Sequence, residues 1–204
     1  MTVGVTGPFA SGKSTFVRIL GELGAETVSA DEIVHDLLAE DEETVTRIVE
    51  RFGRDVLKES GVDRRALGRK VFGDPEALQD LEEILHPLVR RETRRRIEDS
   101  AADIFVAEIP LLFEGTSSGA FHYTVAVTAP EERRQAWAAE RGVDEVALRA
   151  IEARQLPQEE KARRADAVVQ NDGGLDRLRE QAERLRKRIS KERGADGSER
   201  QKEA

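Results

Sequence analysis

The sequence predicts an α/β fold in which a parallel, five-stranded sheet is flanked by helices. Short apolar segments that are typical of buried strands alternate with longer segments in which apolar residues recur at three- and four-residue spacing. Strands are expected at residues 2–6, 26–29, 104–109, 123–128 and 167–169. Such alternation favours a parallel sheet covered on both faces, with ligands bound at its carboxyl edge.

The spacing of the strands predicts one domain over residues 1–190 with two helical additions. A helical insertion is expected at about 32–100, and a second helical segment at about 131–163. Breaks between the helices of the insertion are expected at Gly53, Gly61, Asp74-Pro75 and Pro87. Residues 191–204 are charged and contain no apolar residue except alanine, so they are expected to be disordered.

The composition excludes several classes of protein. The chain of 204 residues is 38% apolar and 36% charged, and its net charge of −8 argues against a general nucleic-acid binder, which needs a basic face. No apolar stretch approaches the ~20 residues of a membrane span. The absence of cysteine excludes disulfides and thiolate metal sites. Nothing in the first thirty residues resembles a signal peptide, so a cytoplasmic location is expected.

Residues 7–14, Gly-Pro-Phe-Ala-Ser-Gly-Lys-Ser, fit the pattern of a phosphate-binding loop and lie between a predicted strand and a predicted helix. Backbone N–H groups of such a loop point at phosphate oxygens, and the next helix adds its positive N-terminal end. Lys13 would span the β- and γ-phosphates, and the Ser14 hydroxyl would hold Mg²⁺. The residues expected to contact the nucleotide are Ala10, Ser11, Gly12, Lys13, Ser14 and Thr15.

Two acidic residues follow predicted strands. Asp31 follows the second strand, which we expect beside the strand that precedes the loop, so its carboxylate is a candidate base for an acceptor hydroxyl. An N-cap role for the next helix is an equal alternative. Glu108 ends the third strand, where an acid beside a phosphate loop commonly supports the metal, although many such acids are simply solvated.

Candidate cationic and imidazole groups lie in the two helical segments. Pro87 is expected to begin a new helix, which would leave His86 to face a pocket, although a lone histidine is more often structural. Phosphoryl transfer needs cations that balance the charge of the transferred group. Spacing alone does not choose among Arg134, Arg141 and Arg154 for that role.

Beyond the loop, the chain resembles dephospho-coenzyme A kinases over about residues 2–188. The shared segments are Ala30-Asp31-Glu32-Ile33, Asp63-Arg64-Arg65-Ala66-Leu67, Leu85-His86-Pro87-Leu88, Pro110-Leu111-Leu112-Phe113-Glu114, Ala153-Arg154-Gln155, Ala165-Asp166, Asn171 and Gly173. The resemblance implies a P-loop NTPase-type fold with a helical lid. It also implies transfer of the ATP γ-phosphoryl group to the ribose 3′-hydroxyl of dephospho-CoA, with Mg²⁺, in the last step of coenzyme A biosynthesis.

The resemblance further implies roles for individual residues. Asp31 looks like the base, and the insert around His86 looks like part of the acceptor pocket, to which we also assign Pro110 and Leu111. Asn171 resembles the adenine-contacting end of the ATP site. The expected partners are small molecules alone, with no nucleic acid and no membrane, and the chain is expected to be a monomer or a weak homo-oligomer.

The loop and the second strand depart from the family's usual pattern. Pro8 and Ala10 stand where the family usually has glycines. Proline removes an N–H donor and alanine tolerates positive φ poorly, so either the loop curls without those features or nucleotide affinity is reduced. Ser29 stands where the family usually has a first aspartate.

The lid also departs from that pattern. Ala136 and Glu140 occupy positions where the family usually has arginines. Arg141 or Arg133 is expected to substitute for them, and Arg141 is our choice for the catalytic cation.

Two other functions stay open from the sequence. A nucleoside or nucleotide monophosphate kinase shares the loop, the fold and the lid. A catalytically impaired nucleotide-binding protein would account for the substitutions in the loop and lid, although the intact Lys13, Ser14 and Asp31 count against it.

Overall fold

The computed structural model describes residues 1–115 and 117–200, with the backbone alone for residues 193–200. The strands are β1 (Thr2–Thr6), β2 (Glu26–Ser29), β3 (Leu57–Lys58), β4 (Gly61–Val62), β5 (Phe105–Glu108), β6 (Tyr123–Thr128) and β7 (Ala167–Gln170). The helices are α1 (Lys13–Glu22), α2 (Ala30–Glu40), α3 (Glu42–Phe52), α4 (Arg64–Val71), α5 (Pro75–Asp99), α6 (Glu131–Glu140), α7 (Glu145–Glu152), α8 (Gln158–Arg164) and α9 (Leu175–Arg200).

β1 lies at the centre of a five-stranded sheet with the order β2-β5-β1-β6-β7. It pairs in parallel with β5 on one side and β6 on the other, and β6 pairs in parallel with β7. All five residues of β1 are buried, as expected for a central strand covered on both faces. The predicted fold class, a parallel five-stranded sheet flanked by helices, is confirmed.

The position of β2 differs from the sequence prediction. The sequence predicts β2 beside β1, and this is wrong because β5 lies between them. Neighbouring strands usually pair when their connection is short. The connection from β2 to β5 spans residues 30–104. A connection of that length allows the chain to return and place β5 between β1 and β2. Glu108, at the end of β5, is therefore the acid on the strand next to β1.

The chain forms two compact units, Met1–Thr27 with the described residues from Ser100 onward, and Val28–Asp99. In the first unit, one apolar core joins β1, β5, β6 and β7 to the helices α1 and α9. Phe16, Ile19 and Leu20 provide the α1 side of this core, at the three- and four-residue spacing that places them on one face. This packing fixes α1 against β1 and so fixes both ends of the loop that joins them.

The second unit contains α2 to α5 and a small hairpin. Its bounds are close to those of the predicted insertion at about 32–100, while the division into a single domain of 1–190 stays a prediction. The sequence predicts helix throughout the insertion, and this is wrong at β3 and β4, which pair antiparallel with Leu57 opposite Val62. Strands of two residues are too short to show alternation of apolar and polar residues.

The helix α5 also differs from the sequence prediction. The sequence predicts a helix break at Pro87, but α5 continues through it from Pro75 to Asp99. Proline removes one helix hydrogen bond and usually bends a helix. Pro87 lies on the exposed side, and the helix is held on the other side by buried residues before and after it, Leu85 and Leu88. Pro87 therefore does not begin a new helix.

The last helix is longer than the sequence predicts. The sequence predicts disorder from residue 191, whereas α9 continues to Arg200 in the structure, and residues 201–204 lie outside the described residues. Pairs of opposite charge four residues apart stabilise the solvated side of a helix. One such pair, Arg188 with Glu192, lies where the predicted helix ends. In the described part of the chain, no helix is long and apolar enough to cross a bilayer.

We expect Glu92 to stabilise the second unit in a pH-dependent way. Its carboxylate accepts hydrogen bonds from Arg95 at 2.8 Å and from Arg96 at 2.8 Å, and these bonds lower its pKa to about 2. Because the folded-state pKa lies below the ordinary value of 4.5, the stabilisation is complete above about pH 4.5 and is lost as the pH falls towards 2. Glu92→Gln should lower the free energy of unfolding by about 1 kcal/mol at pH 7, with exposed arginines limiting the effect.

The measurement compares urea unfolding of the original protein and the variant between pH 7 and pH 3. Glu98→Gln is the matched control, since Glu98 is exposed on the same helix and makes no ion pair in the described chain. A Glu92→Gln effect that did not change with pH would contradict the assignment.

Candidate functional site

The phosphate-binding loop, residues 7–12, leaves the end of β1 and enters α1. Gly7 begins it with a φ of 152°, and a Cβ at this position would lie 2.2 Å from the backbone oxygen of Val127. Only glycine fits so close to a neighbouring strand. The Ser11 N–H donates to the Pro8 carbonyl at 3.3 Å, which closes a turn inside the loop.

Asn171 supports the far end of the loop. Gly12 has a φ of 90°, and a Cβ there would lie 2.2 Å from the Asn171 side-chain nitrogen. That nitrogen donates to the Ser11 carbonyl at 3.0 Å, and the Asn171 backbone N–H donates to Thr128 at 2.7 Å. The structure thus places Asn171 against the loop, as a buried support, and its expected contact with adenine stays a prediction.

Ala10 adopts the backbone conformation that the loop requires. Its φ is 57°, in the left-handed region that alanine adopts only at a cost. The methyl group is buried with Ala138 of α6 and Leu148 of α7, and Phe9 and Trp137 pack against the same cluster. The loop therefore does use a positive φ at this position, contrary to the first of the two alternatives, and the second, a reduced nucleotide affinity, stays a prediction.

Lys13, Ser14 and Glu108 meet at the start of α1. The Lys13 ammonium is buried and donates to the Pro8 carbonyl at 2.9 Å, so it lies inside the curl of the loop. The Ser14 hydroxyl donates to the Glu108 carboxylate at 2.9 Å. The two predicted metal-binding residues are thus brought together, although 94 positions separate them in the sequence.

The oxygen atoms of Ser14 and Glu108 fit a magnesium ion. Mg²⁺ prefers oxygen ligands and is usually bound by one or two protein groups, with water and phosphate oxygens completing the octahedron. Among the described residues no group of three or more His, Cys, Asp or Glu side chains is placed to hold a metal. A metal bound at Ser14 and Glu108 would therefore take most of its ligands from nucleotide and water.

Asp31 lies in the second unit, as the second residue of α2. The sequence left open whether it is the N-cap, and the structure assigns that role to Ser29 instead. The Ser29 hydroxyl accepts from the Asp31 N–H at 3.1 Å, and Glu32 accepts from the Ser29 N–H at 3.0 Å, which completes a capping box. In the described chain the exposed Asp31 carboxylate has no hydrogen bond or ion pair, so it is available to a substrate.

The other predicted acceptor residues occupy different environments. His86 is exposed on α5, in the second unit. In the first unit, the Pro110 carbonyl accepts from the Thr6 hydroxyl at 3.1 Å and from the Lys161 ammonium at 2.6 Å, and Leu111 is half-buried. Pro110 is thus fixed by its backbone, and the contact of these residues with an acceptor stays a prediction.

The lid arginines separate into buried and exposed groups. Arg134 is buried, and its guanidinium donates a hydrogen bond to the Glu152 carboxylate inside the protein. Arg133 donates to the Gly173 carbonyl at 2.7 Å, next to Asn171. Arg141 ends α6 and is exposed, and in the described chain it has no ion pair. Of these three arginines, Arg141 is the exposed one without a hydrogen bond or ion pair in the described chain, and its contact with a substrate stays a prediction.

Sequence reasoning gave no role to a buried ion pair near the loop. The Lys161 ammonium lies 2.6 Å from Glu114, and the Lys161 side chain is 0% exposed. Burial lowers the pKa of Lys161, and the Glu114 carboxylate opposes that shift. Gln155 was also given no role, and its side chain accepts from the Phe9 N–H of the loop at 3.1 Å. Glu114 and Gln155 lie in segments that resemble the dephospho-coenzyme A kinases, but the sequence alone shows no partner for either residue.

Comparison with known proteins decides which kinase this loop belongs to. The family model described as dephospho-CoA kinase matches residues 1–177. The chain belongs to the dephospho-CoA kinase family. A relative from Carboxydothermus hydrogenoformans, named dephospho-CoA kinase, is 40% identical over 185 residues, covering 88% of this chain and 89% of the relative.

Solved structures agree with the family. A crystal structure from Thermus thermophilus is 36% identical, with a TM-score of 0.75 over 94% of this chain and 97% of the other. A dephospho-CoA kinase from Campylobacter jejuni is 29% identical, with a TM-score of 0.65 over 92% of this chain and 96% of the other. The predicted P-loop kinase fold, the family and its function, that of a dephospho-CoA kinase that uses ATP, are confirmed.

We expect Gly12→Ala to weaken nucleotide binding. The new Cβ would lie 2.2 Å from the Asn171 nitrogen at a φ of 90°, so either Asn171 or the loop must move. ATP affinity, measured by titration calorimetry, should fall at least about 10-fold, since left-handed strain and the clash each cost on the order of 1 kcal/mol or more.

Gly21→Ala, in the helix α1 that follows Gly12, is the matched control. Its Cβ would lie 3.4 Å from the Thr27 methyl group and the position is helical, so alanine should stabilise the protein by about 0.5–1 kcal/mol and leave ATP affinity unchanged. Normal ATP affinity in Gly12→Ala would contradict the described contact.

Proposed function

We propose that this chain transfers the γ-phosphoryl group of ATP to the ribose 3′-hydroxyl of dephospho-CoA and uses Mg²⁺ to do so. The observation that carries the proposal is the meeting of Lys13, Ser14 and Glu108 at a curled phosphate loop in a chain of the dephospho-CoA kinase family. We further infer a cytoplasmic enzyme that works as a monomer or a weak homo-oligomer.

The loop binds the triphosphate in this proposal. The first N–H groups of α1 have no partner inside the helix, and they lie beside the curl formed by residues 7–12. Phosphate oxygens would accept from them. Lys13, which donates to Pro8, would turn its ammonium to the β- and γ-phosphates and offset the negative charge that grows during transfer.

Ser14 and Glu108 hold the metal in this proposal. A magnesium ion held there would neutralise negative charge on the phosphate oxygens. The Ser14 hydroxyl would be a direct ligand, and Glu108 would bind the metal or its water, since its carboxylate already lies 2.9 Å from the hydroxyl.

Asp31 is the proposed base. Ser29 already caps α2, so the helix does not need the Asp31 carboxylate, which is exposed and without a partner in the described chain. A carboxylate in hydrogen-bond reach of the 3′-hydroxyl would orient it and take its proton as the oxygen bonds to the γ-phosphorus. The bond from that phosphorus to the bridging oxygen breaks, and ADP leaves. His86, Pro110 and Leu111 are proposed to contact the acceptor, and Arg141 to contact the transferred group.

We expect Lys13→Ala to remove turnover and Asp31→Asn to slow it at least ~100-fold, the usual scale for losing a positioned base. A coupled assay of ADP release with ATP, Mg²⁺ and dephospho-CoA provides the measurement. Asp31→Asn should bind ATP normally, because its role concerns the acceptor.

Glu40→Gln is the matched control for Asp31→Asn, since Glu40 is an exposed acid on the same helix with no partner in the described chain. Phosphorylation of AMP or CMP with dephospho-CoA inert would instead assign a nucleotide monophosphate kinase. A near-normal rate in Asp31→Asn would leave the base unassigned.

We expect Ser14→Ala to raise the Mg²⁺ concentration needed for half-maximal rate by at least about 10-fold, because one direct ligand is lost. Ser14→Thr should restore the original value, since threonine supplies the same hydroxyl. The rate is measured across a Mg²⁺ titration at fixed ATP. An unchanged Mg²⁺ requirement in Ser14→Ala would remove Ser14 from the metal site.

A further inference from the structure

A chain of buried contacts connects the phosphate loop to the segment between α7 and α8. The Gln155 side-chain oxygen accepts from the Phe9 N–H at 3.1 Å, across 146 positions of sequence. Phe9 stands at the middle of the loop, before the residues whose N–H groups are expected to face phosphate. Gln155 therefore binds the loop at the Phe9 N–H, a group that is not among those expected to contact the nucleotide.

The segment that carries Gln155 is itself fixed. The next residue, Leu156, donates its backbone N–H to the Glu114 carboxylate at 2.8 Å. The same Glu114 oxygen pairs with the Lys161 ammonium at 2.6 Å, and the Lys161 side chain is 0% exposed. Taking a lysine fully out of water is costly unless it is paired and hydrogen-bonded, so this pair holds Lys161 and Glu114 in one arrangement.

The contacts return to the strand that leads into the loop. The Lys161 ammonium also donates to the Pro110 carbonyl at 2.6 Å, and that carbonyl accepts from the Thr6 hydroxyl at 3.1 Å. Thr6 is the last residue of β1 and is fully buried. The contacts thus start at Thr6 and end at Phe9, on the two sides of Gly7 and Pro8.

We propose that Gln155 is a positioning residue for the nucleotide site, and that the buried pair of Lys161 and Glu114 acts through it. Gln155 keeps the Phe9 peptide in the orientation that leaves the later N–H groups of the loop directed at phosphate. The inference rests on the proposed function only in that ATP occupies the loop, and the identity of the acceptor does not enter it.

A positioning role predicts a particular kinetic effect. Without the Gln155 hydrogen bond the loop samples other orientations, and ATP must bind to the competent one among them. Binding of ATP is therefore weakened equally in the ground state and in the transition state. Gln155→Met, which keeps the length of the side chain and removes the acceptor, should raise the Kd and the KM for ATP about 3- to 10-fold, as for loss of one hydrogen bond. The value of kcat should change less than about 2-fold.

Ser100→Ala is the matched control. The Ser100 hydroxyl oxygen accepts from the Ala102 N–H at 3.1 Å, so this variant also loses a hydrogen bond between a side-chain oxygen and a backbone N–H, at a position that in the described chain makes no contact with the loop or with its support Asn171. It should lose similar thermal stability and keep the original Kd for ATP. A purely structural role of Gln155 would make the two variants alike.

The experiment measures the Kd of ATP with Mg²⁺ by titration calorimetry in the absence of any acceptor, and then KM and kcat in the coupled assay. The calorimetric titration needs no acceptor, so it tests the role of Gln155 even if dephospho-CoA is not the acceptor. An unchanged Kd in Gln155→Met would overturn it, and so would a fall in kcat alone.

The role of the ion pair is tested with Glu114→Gln, which keeps the shape and an oxygen acceptor for Leu156 and Lys161. The variant leaves the buried lysine without its counter-charge, so its folding is checked first by circular dichroism. We expect its Kd for ATP to rise less than that of Gln155→Met. The double variant should resemble Gln155→Met alone, because both changes act on the one contact with Phe9. Fully additive effects would overturn the claim that the pair acts through Gln155.

Discussion

The curl of the phosphate-binding loop is the constraint on which the rest of the site depends, since backbone N–H groups grip phosphate only while they point at one centre. The loop keeps this curl with Ala10 and Gly12 at positive φ, and alanine adopts such a φ only at a cost in free energy. Contacts far along the sequence offset that cost. Asn171 holds the Ser11 carbonyl from one side, and Gln155 holds the loop from the other.

The charges near the loop give a physical reason for the proposed metal site. The chain has a net charge of −8, yet its proposed substrates are polyanions. Lys13 and the first turn of α1 supply local positive charge, but the buried Glu108 carboxylate lies beside Ser14 and would repel a phosphate placed there. A divalent cation held by Ser14 and Glu108, as proposed, would offset that repulsion. Because Glu108 is buried, its carboxylate is not simply a solvated strand end, and its role in metal binding stays a proposal.

The parts of the structure that could be predicted from sequence are those whose cause is local. Apolar segments and helical spacing identified the strands of the sheet and α1, and the loop motif identified Lys13 and Ser14 as candidate site residues. The hairpin at residues 57–62 was too short to show a period, and helix α5 continued through Pro87 because the residues around it are buried. The position of β2 and the contacts of Asn171 and Lys161 depend on residues far apart in the chain, which no single-sequence pattern connects.

Ala10 shows why the departures from the family's loop do not argue for an inactive protein. A left-handed alanine costs on the order of 1 kcal/mol, and burying a methyl group returns about 0.8 kcal/mol. Here the methyl is buried against Ala138 and Leu148, so the substitution is close to neutral for stability. It also attaches the loop to α6 and α7, a contact that glycine could not make. Pro8 likewise supplies the carbonyl that Lys13 uses, and this acceptor needs no N–H. In this chain, contacts with α6 and α7 support the loop at a position where the family resemblance leads us to expect glycine.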